Sequence, residues 1–331
     1  MKRHSRREFV QLTTAAAFTS ALSRPALAQT YPSRPIKFIV AFTAGGTTDL
    51  LARILAAPLS ERLGQQVVIE NKPGGGTNIA MQQLVNAAPD GHTLAMTFAT
   101  NTINPSLYKS LPFDYQRDVA PVSGLADLPL VLVVNKDFPV KDSPVKDVAG
   151  FIAYAKANPG KVSFASFGAR TISHLAIELL KSSTGIDVVH VPYPGGPQIT
   201  TDIMTGRIQA GMDALPNSLP HIRGGAIRAL AVMSPQRNPA IPDVPAMNEI
   251  IPGIEINAGT GIGAPAATPV EIIERLNRDI NACLADASLK ARYAEVGAVP
   301  IILTPAEARL RIANDTRKWA KVIEAAGLKP E

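Results

Sequence analysis

Cysteine is almost absent from this sequence of 331 residues, which contains a single one, Cys283. A single thiol excludes an internal disulfide and a cysteine-rich metal site. The apolar residues around it follow a helical spacing, at Ile273, Leu276, Ile280 and Leu284. We therefore expect Cys283 to be buried in the core. The histidines are scattered, and none shows the spacing with Glu of a zinc site, so we expect no metal.

An excess of charge of either sign is also missing once the first 28 residues are set aside. Residues 1–28 hold five of the 33 basic and one of the 27 acidic residues, which leaves 28 basic and 26 acidic residues and a net charge of +2. No later stretch combines Lys and Arg with interleaved aromatic residues, so nucleic acid is not an expected partner. No later apolar run is long enough to span a membrane. We expect a soluble protein of two domains.

The first 28 residues have the composition of an export signal. A basic segment precedes an alanine-rich stretch at residues 12–22, and Ala26-Leu27-Ala28 fits the rule of small residues at a cleavage site. Residues 5–10 read SRREFV, and the adjacent arginines are typical of a twin-arginine signal. We predict a signal peptide at residues 1–28, a mature protein that begins at Gln29, and a periplasmic location. An ordinary basic segment that happens to contain Arg-Arg is the alternative for the route.

Short apolar runs and helical patterns alternate along the rest of the chain. Runs rich in Val and Ile that are bounded by Gly and Pro are typical of buried parallel strands. We predict strands at residues 36–42, 67–70, 93–98, 130–135, 161–166, 187–192, 208–214 and 226–233. We predict helices at residues 49–63, 79–87, 145–157, 172–184 and 198–204, and a mostly helical tail with N-caps at Thr268 and Thr304. The alternation predicts an α/β fold.

Two segments share the order of a strand, a loop of small residues and a helix. Residues 39–55 read IVAFTAGGTTDLLARIL, and residues 162–185 read VSFASFGARTISHLAIELLKSSTG. Each would place free N–H groups and the positive end of a helix dipole at the carboxyl edge of a sheet. If the two segments face each other across a cleft, they can hold an anion with the backbone alone.

Motifs for nucleotides and for a catalytic nucleophile are incomplete. A dinucleotide site needs G-x-G-x-x-G and an acid about 20 residues later; Glu70 supplies the acid, but the loop holds only the pair Gly45-Gly46. Residues 74–80, GGGTNIA, lack the Gly-Lys-Ser/Thr of a Walker loop. Phe164 stands where a nucleophile elbow at Ser166 requires Gly. An exported Rossmann-like, cofactor-binding enzyme is kept as the alternative reading.

Seven segments together resemble the solute receptors of tripartite tricarboxylate transporters, often called the Bug family. They are residues 41–53 (AFTAGGTTDLLAR), 67–80 (VVIENKPGGGTNIA), 88–96 (APDGHTLAM), 103–123, 173–195, 219–234 and 241–250 (IPDVPAMNEI). The resemblance implies a type II periplasmic-binding-protein fold, with two α/β lobes around a ligand cleft that are joined by crossing strands. It also implies a small carboxylate ligand, held mainly by loop backbone and ordered water.

The resemblance further implies how such a protein works. The ligand would be a di- or tricarboxylate or an amino or aromatic acid, delivered to an inner-membrane permease, although some members serve signalling. We expect no enzyme activity, no cofactor and a monomer. We place lobe one at residues 29–128 plus 235–331 and lobe two at residues 129–234.

Carried over to this sequence, the resemblance implies a ligand site from both lobes. Lobe one would supply Phe42, Thr43, Ala44, Gly45, Gly46, Thr47, Thr48, Asp49, Thr100 and Asn101. Lobe two would supply Ser166, Ala169, Arg170, Thr171, His174, Pro192, Tyr193, Asp213 and Ala214. Several have plainer alternatives: Asp49 can pair with Arg53 at i+4, His174 can orient its loop, and Tyr193 can be packing. Residues 74–76 are either pocket wall or a turn.

Three departures from the family pattern bear on the ligand. Ala44 replaces a usual Pro, which loosens the first loop because Pro fixes φ. Arg170 stands where small or polar residues are usual, and it would either meet a second carboxylate or face solvent. Residues 256–263, INAGTGIG, lack the common Trp. Its loss would widen the cleft toward a longer or aromatic acid, or soften a hinge.

Overall fold

The structure is a computed structural model that describes residues 31–139, 145–256, 258–325 and 328–330. The predicted signal peptide and its cleavage site lie outside the described residues. Arg34–Glu331 form one compact unit, which contains both sheets and the cleft. No helix within the described residues has the length and apolar character needed to cross a membrane.

The described part of the chain forms mixed strands and helices. The strands are β1 (Ile36–Val40), β2 (Val67–Asn71), β3 (Thr93–Phe98), β4 (Val119–Asp127), β5 (Leu130–Asn135), β6 (Ser163–Ser166), β7 (Val189–Pro192), β8 (Ala210–Ala214), β9 (Ile227–Val232), β10 (Gly259–Pro265) and β11 (Val299–Pro300). The helices are α1 (Thr47–Leu63), α2 (Asn78–Val85), α3 (Ala99–Leu107), α4 (Tyr115–Asp118), α5 (Val148–Ala157), α6 (Ile172–Thr184), α7 (Gly196–Met204), α8 (Leu215–Arg223), α9 (Met247–Ile250), α10 (Val270–Ala285), α11 (Ala287–Glu295) and α12 (Pro305–Ala325).

The strands form two sheets, each the centre of one lobe. The first has the order β11-β4-β10-β3-β1-β2, and the second has the order β7-β6-β8-β5-β9. β1 pairs in parallel with β2 and β3, and β6 pairs in parallel with β7 and β8. Because parallel strands are covered on both faces, β1 is almost fully apolar: Ile36, Phe38, Ile39 and Val40 are at most 1% exposed. The α/β prediction is confirmed.

Two stretches of chain cross between the sheets side by side. Leu128 and Pro129 lead from β4 of the first sheet into β5 of the second. The chain returns from β9 to β10, and the Leu128 N–H donates to the Ala258 carbonyl across the two connections (3.3 Å). This is the arrangement of two lobes and crossing strands that the family resemblance implies.

Three strands, β4, β10 and β11, were not predicted from the sequence, because they contain glycine or proline. β10 reads GTGIGAP, a composition that disfavours strands. Its glycines are required by packing: a Cβ on Gly261 would lie 2.9 Å from the Ser123 carbonyl oxygen, and one on Gly263 2.7 Å from Val119 Cγ1. Pairing with β3 and β4 therefore decides the strand, not propensity.

One of the two predicted N-caps in the tail is wrong. Pro269, with φ −53° and ψ 141°, is the N-cap of α10, because Ile272 and Ile273 donate to its carbonyl. Thr268 therefore lies one residue outside the helix. At Thr304 the prediction is confirmed, because Thr304 and Glu307 exchange the two hydrogen bonds of a capping box. Cys283 is buried in α10 as predicted, and burial raises the pKa of its thiol to about 11.

Candidate ligand-binding site

Five helices begin at one cleft between the lobes. α1 and α3 follow β1 and β3 of the first sheet, whereas α6, α7 and α8 follow β6, β7 and β8 of the second. The space between the cleft walls is about 590 Å³ when the open solvent at its mouth is included. It is lined by Phe42, Thr43, Gly46, Thr47, Thr48, Phe98, Ala99, Thr100, Leu128, Leu130, Phe167, Ile172, Gly195, Gly196, Asp213, Ala214, Asn217, Ala258, Gly259 and Thr260. Clefts at the carboxyl ends of parallel strands are the usual place for ligands in α/β folds.

The backbone is the source of positive potential in this cleft. The first turns of α1, α6, α7 and α8 have no hydrogen bond from a side chain of the N-cap residue. The first N–H groups of a helix lack partners within the helix and form its positive dipole end. Among the described lining residues there is no Lys, Arg or His, and Asp213 is the one charged side chain. An anion here would be held by N–H groups.

The loop between β1 and α1 is braced from behind by an acid. Asp49 Oδ2 accepts from the Gly45 N–H and from Arg53 Nε, both at 2.9 Å. Burial raises the pKa of Asp49, but the bonds from Arg53 and Gly45 outweigh it and leave the pKa below its usual value. The i+4 pair predicted as the plainer role of Asp49 is confirmed. Asp49 does not line the cleft, and the Gly45 N–H is occupied.

The front of the same loop carries polar groups that face no protein partner. Thr43 Oγ1 and Thr47 Oγ1 are buried without a hydrogen bond among the described residues. Ala44 and Gly45 are exposed at the tip of the loop. Thr43, Gly46 and Thr47 therefore supply the cleft surface, and Ala44 and Gly45 do not.

Three phenylalanines from both lobes form an apolar wall. The Phe42 ring meets Phe98 edge-on, with centroids 5.1 Å apart, and Phe167 of the second lobe at 5.6 Å. Aromatic rings at right angles and at this distance pack favourably. The main chain of Phe42 is fixed by Asn71, whose Nδ2 donates to its carbonyl (2.9 Å). The wall closes one side of the cleft.

The start of α3 contributes one residue to the cleft and one to its support. Thr100 lines the cleft, and its Oγ1 accepts from the Ile172 N–H across the lobes (3.3 Å). Asn101 is buried outside the cleft: its Oδ1 accepts from the Phe98 N–H, and its Nδ2 donates to Thr77 Oγ1, both at 2.8 Å. Asn101 therefore holds the end of β3 in place.

A web of side chains holds the loop between β6 and α6. Ser166 Oγ lies 2.6 Å from His190 Nε2, and the His190 ring stacks on His174 at 3.9 Å. His174 Nδ1 accepts from the Arg170 N–H (3.0 Å), which is the loop-orienting role considered from the sequence. Burial, with a smaller contribution from His174, lowers the pKa of His190 to about 4. Thr171 Oγ1 donates to the Gly168 carbonyl (2.7 Å). None of these four side chains lines the cleft.

A second cavity lies beyond the phenylalanine wall. It is lined by Ala41, Phe42, Gly74, Gly75, Gly76, Thr77, Tyr108, Phe167, Gly168, Ala169, Arg170, Thr171, Tyr193 and Pro194. The Arg170 guanidinium lies over the Tyr108 ring, 4.9 Å from its centroid. Tyr193 donates to Asp202 Oδ2 (2.7 Å), and Pro192 is exposed at the end of β7. Ala169, Arg170, Thr171 and Tyr193 therefore belong to this second cavity and not to the main cleft.

Sequence reasoning missed a glycine pair that the cleft depends on. Gly195 and Gly196 precede and begin α7, and both line the cleft. A Cβ on Gly195 would collide with Thr43 Oγ1 of the first lobe. The signal was present as PGGP at residues 194–197, between a predicted strand and a predicted helix. Asn217 was also missed. The segment without the family's Trp was linked to the cleft, but its lining residues Ala258, Gly259 and Thr260 were not among the predicted site residues.

Asp213 is the predicted site residue with the least ordinary environment. It is 0% exposed, at the end of β8. Its Oδ2 accepts from Asn217 Nδ2 (2.6 Å) and Ser218 Oγ (2.7 Å). Burial raises the pKa of Asp213 to about 6, because these neutral donors and the backbone N–H of Ala214 compensate only in part. Ala214, the N-cap of α8, lies beside it in the cleft wall.

This chain is similar to a family of transporter receptors. A family model described as "Tripartite tricarboxylate transporter family receptor" matches residues 51–328. Protein BugT of Bordetella pertussis is 37% identical over 314 residues, which cover 94% of this chain and 95% of BugT.

Two solved structures with ligands are also similar. The R. palustris protein Rpa4515 with adipate has a TM-score of 0.86 and 34% identity, covering 91% of this chain and all of that one. MatC (Rpa3494) from Rhodopseudomonas palustris with bound malate has a TM-score of 0.82 and 28% identity, covering 88% of this chain and all of that one. The chain thus belongs to the Bug family, the solute-binding receptors of tripartite tricarboxylate transporters.

Proposed function

We propose that this protein is a periplasmic receptor that binds a small carboxylate in the cleft and delivers it to an inner-membrane permease of the tripartite tricarboxylate type. The observation that carries the proposal is the convergence of five helix N-termini on a cleft whose described lining has no cationic side chain. Hydrogen bonds that involve a charged group contribute about 1.5–3 kcal/mol each. The relatives solved with adipate and malate support the same class of ligand.

Thermal melting of the purified mature protein with a panel of mono-, di- and tricarboxylates tests the binding. A carboxylate at about 100 times its Kd should stabilise the folded protein by roughly 2.7 kcal/mol through mass action. NAD and ATP should leave the melting temperature unchanged. For the best acid, the matching amide should bind at least about 100-fold more weakly, since its NH₂ would meet N–H donors. Stabilisation by NAD and by no acid would favour the Rossmann-like enzyme.

The absence of catalysis is part of the proposal and has its own test. The best acid should be recovered chemically unchanged after long incubation with the receptor. Chromatography and mass spectrometry of the recovered acid provide the measurement, with heat-denatured protein as the control. A product that forms only with native protein would contradict the receptor proposal.

Location and organisation complete the proposal. Cell fractionation should find the mature form in the periplasm, and replacement of Arg6 and Arg7 by Lys should block export by the twin-arginine route. Unchanged export of that variant would refute the route and leave the compartment standing. We propose a monomer with lobe one at residues 29–128 plus 235–331 and lobe two at residues 129–234. Cells that lack the receptor should lose uptake of its acid.

A further inference from the structure

One polar atom of the cleft, Asp213 Oδ1, is a hydrogen-bond acceptor that would be satisfied by a donor and not by an anion. Asp213 Oδ1 is buried and has no hydrogen-bond partner among the described residues, whereas Oδ2 is satisfied by Asn217 and Ser218. A carboxylate accepts hydrogen bonds and donates none. A buried acceptor that remains unmet costs about 1–3 kcal/mol. Asp49 Oδ1 is also unmet, but Asp49 pairs with Arg53 and does not line the cleft.

Asp213 Oδ1 is buried in the cleft wall, and the residue packed beside it is a glycine. Gly196 lies next to it, and a Cβ at that position would come within 3.0 Å of Oδ1 and 2.8 Å of Asn217 Nδ2. Asn217 and Ser218, on the first turn of α8, both donate to the other oxygen of the carboxylate, Oδ2. The acceptor is therefore held in a set orientation at the wall of the cleft.

Electrostatics restrict what can lie against this atom. A ligand carboxylate beside Asp213 would place two acidic groups together, which disfavours ionisation of both. An ammonium group would satisfy Oδ1, but the same cleft collects the positive ends of five helix dipoles. A hydroxyl group is a neutral donor and meets neither objection.

We propose that the ligand is a carboxylate that also carries a hydroxyl group, and that Asp213 selects it by accepting the hydroxyl hydrogen at Oδ1. This inference rests on the proposed function and adds a second recognition point to it. The helix N-termini hold the carboxylate, and Asp213 determines specificity among acids of equal length. The raised pKa of Asp213, about 6 because of burial, leaves the acceptor ionised at neutral pH.

Pairs of acids that differ by one hydroxyl group test the selection. Calorimetric titration at pH 7.5 compares propionate with lactate, succinate with malate, and 3-phenylpropionate with 3-phenyllactate. In each pair that binds, the hydroxy acid should bind at least about 10-fold more tightly, the effect of a charge-assisted hydrogen bond. Alanine, aspartate and phenylalanine are the matched amines and should bind more weakly than the hydroxy acids.

Asp213→Asn should reduce the preference to less than about 3-fold, because a neutral amide replaces the ionised acceptor. Asp187→Asn, which removes an exposed charge from the same lobe, is the control and should leave the preference unchanged. Circular dichroism checks folding, and the wild-type pairs decide the matter even if Asp213→Asn does not fold.

Each outcome bears on one of the two proposals. Equal affinity within each pair would overturn the selection and leave the carboxylate receptor standing. Tightest binding by the amines would also overturn it, in favour of an ammonium group at Asp213. If no acid of the pairs or the panel binds, the proposed function fails, and the selection fails with it.

Discussion

Two buried aspartates, Asp49 in the first lobe and Asp213 in the second, show how similar residues near helix starts are used differently. Asp49 lies in the first turn of α1, pairs with Arg53 and holds the Gly45 N–H. Asp213 precedes α8, has only neutral side-chain partners and lines the cleft. The pKa of Asp49 is lowered, because bonds to Arg53 and Gly45 outweigh its burial, whereas burial raises that of Asp213 to about 6.

The difference separates side chains that support the loops from side chains that line the cleft. Charged pairs and histidines stand behind the loops, where they fix the backbone: Asp49 with Arg53 in the first lobe, and His174 with His190 in the second. The cleft surface is left to small residues, apolar rings and unpaired acceptors. An anion site built in this way needs no cation of its own, since the helix ends supply the field.

The largest expected effect on carboxylate affinity comes from a substitution that keeps the two lobes apart. Gly195 has an extended φ of 177°, which alanine also adopts, but its Cβ would collide with Thr43 of the other lobe. We expect Gly195→Ala to weaken carboxylate binding at least about 100-fold, or roughly 2.7 kcal/mol, without unfolding the protein. Calorimetric titration gives the affinity.

The double variant Thr43→Ala with Gly195→Ala should recover most of the affinity, because it removes the hydroxyl that collides. Gly46→Ala, in the same cleft, should weaken binding less than Gly195→Ala, since a Cβ there meets its neighbours at 3.4 and 3.5 Å. Near-native binding by Gly195→Ala alone would show that the lobes need not approach this closely.

The next effect is on the pH dependence of the free energy of unfolding, to which Asp213 and Asp49 should contribute in opposite directions. Asp213 has a pKa of about 6 in the folded protein and about 3.9 when unfolded, so the folded state binds its proton more tightly. Its contribution to the free energy of unfolding is full below pH 4 and falls by roughly 2–3 kcal/mol as the pH rises from 4 to 6. Urea denaturation should show this fall in the wild type and not in Asp213→Asn. Parallel profiles would contradict the buried, ionisable role.

Asp49 should have a smaller effect on the free energy of unfolding than Asp213, with the opposite pH dependence. The lowered pKa of Asp49 means that its contribution is present above pH 4 and is lost in acid. At pH 7.5 we expect Asp49→Asn to lower the free energy of unfolding by about 1–2 kcal/mol, since Arg53 is half exposed and its pairing is screened. A double-mutant cycle with Arg53→Gln isolates the pair. A coupling energy near zero would show that Asp49 acts through Gly45 alone.

The smallest effect is expected for the cation of the second cavity. Arg170 lies over Tyr108 in the second cavity, so Arg170→Ala should change carboxylate affinity by less than about 3-fold. Gly46→Val, whose branched side chain would press on Pro197 of the other lobe, should weaken binding by at least about 10-fold. If titration reverses this order, a side-chain charge and not the backbone holds the anion.

The order of strands, loops and helices could be predicted from local pattern. The predicted strands around β1, β3, β5 and β8 and the helices that became α1 and α6 agree with the structure to within a few residues. The apolar periodicity of these elements and the small residues of their loops are local features, which can be recognised in the sequence. The strand–loop–helix units, and hence an anion site at helix N-termini, followed from the same pattern.

Which side of each loop faces the cleft was decided only by the tertiary structure. Asp49 and Asp213 each lie at a helix start in the sequence, yet the sheets place one behind its loop and the other in the cleft. Gly195 becomes critical because Thr43, 152 residues away in the chain, approaches it across the lobes. β10 forms from a glycine-rich segment because β3 and β4 leave room for nothing larger.

The sequence by itself therefore determined the family, through the resemblance of its segments, and the α/β architecture, through local order. It also led to the expectation of a backbone site for an anion. The tertiary structure alone decided which atoms line the cleft and how strongly burial shifts the pKa of the Asp213 carboxyl. The burial of a residue and its orientation toward the cleft depend on segments that are distant in the chain, and no local sequence pattern encodes them.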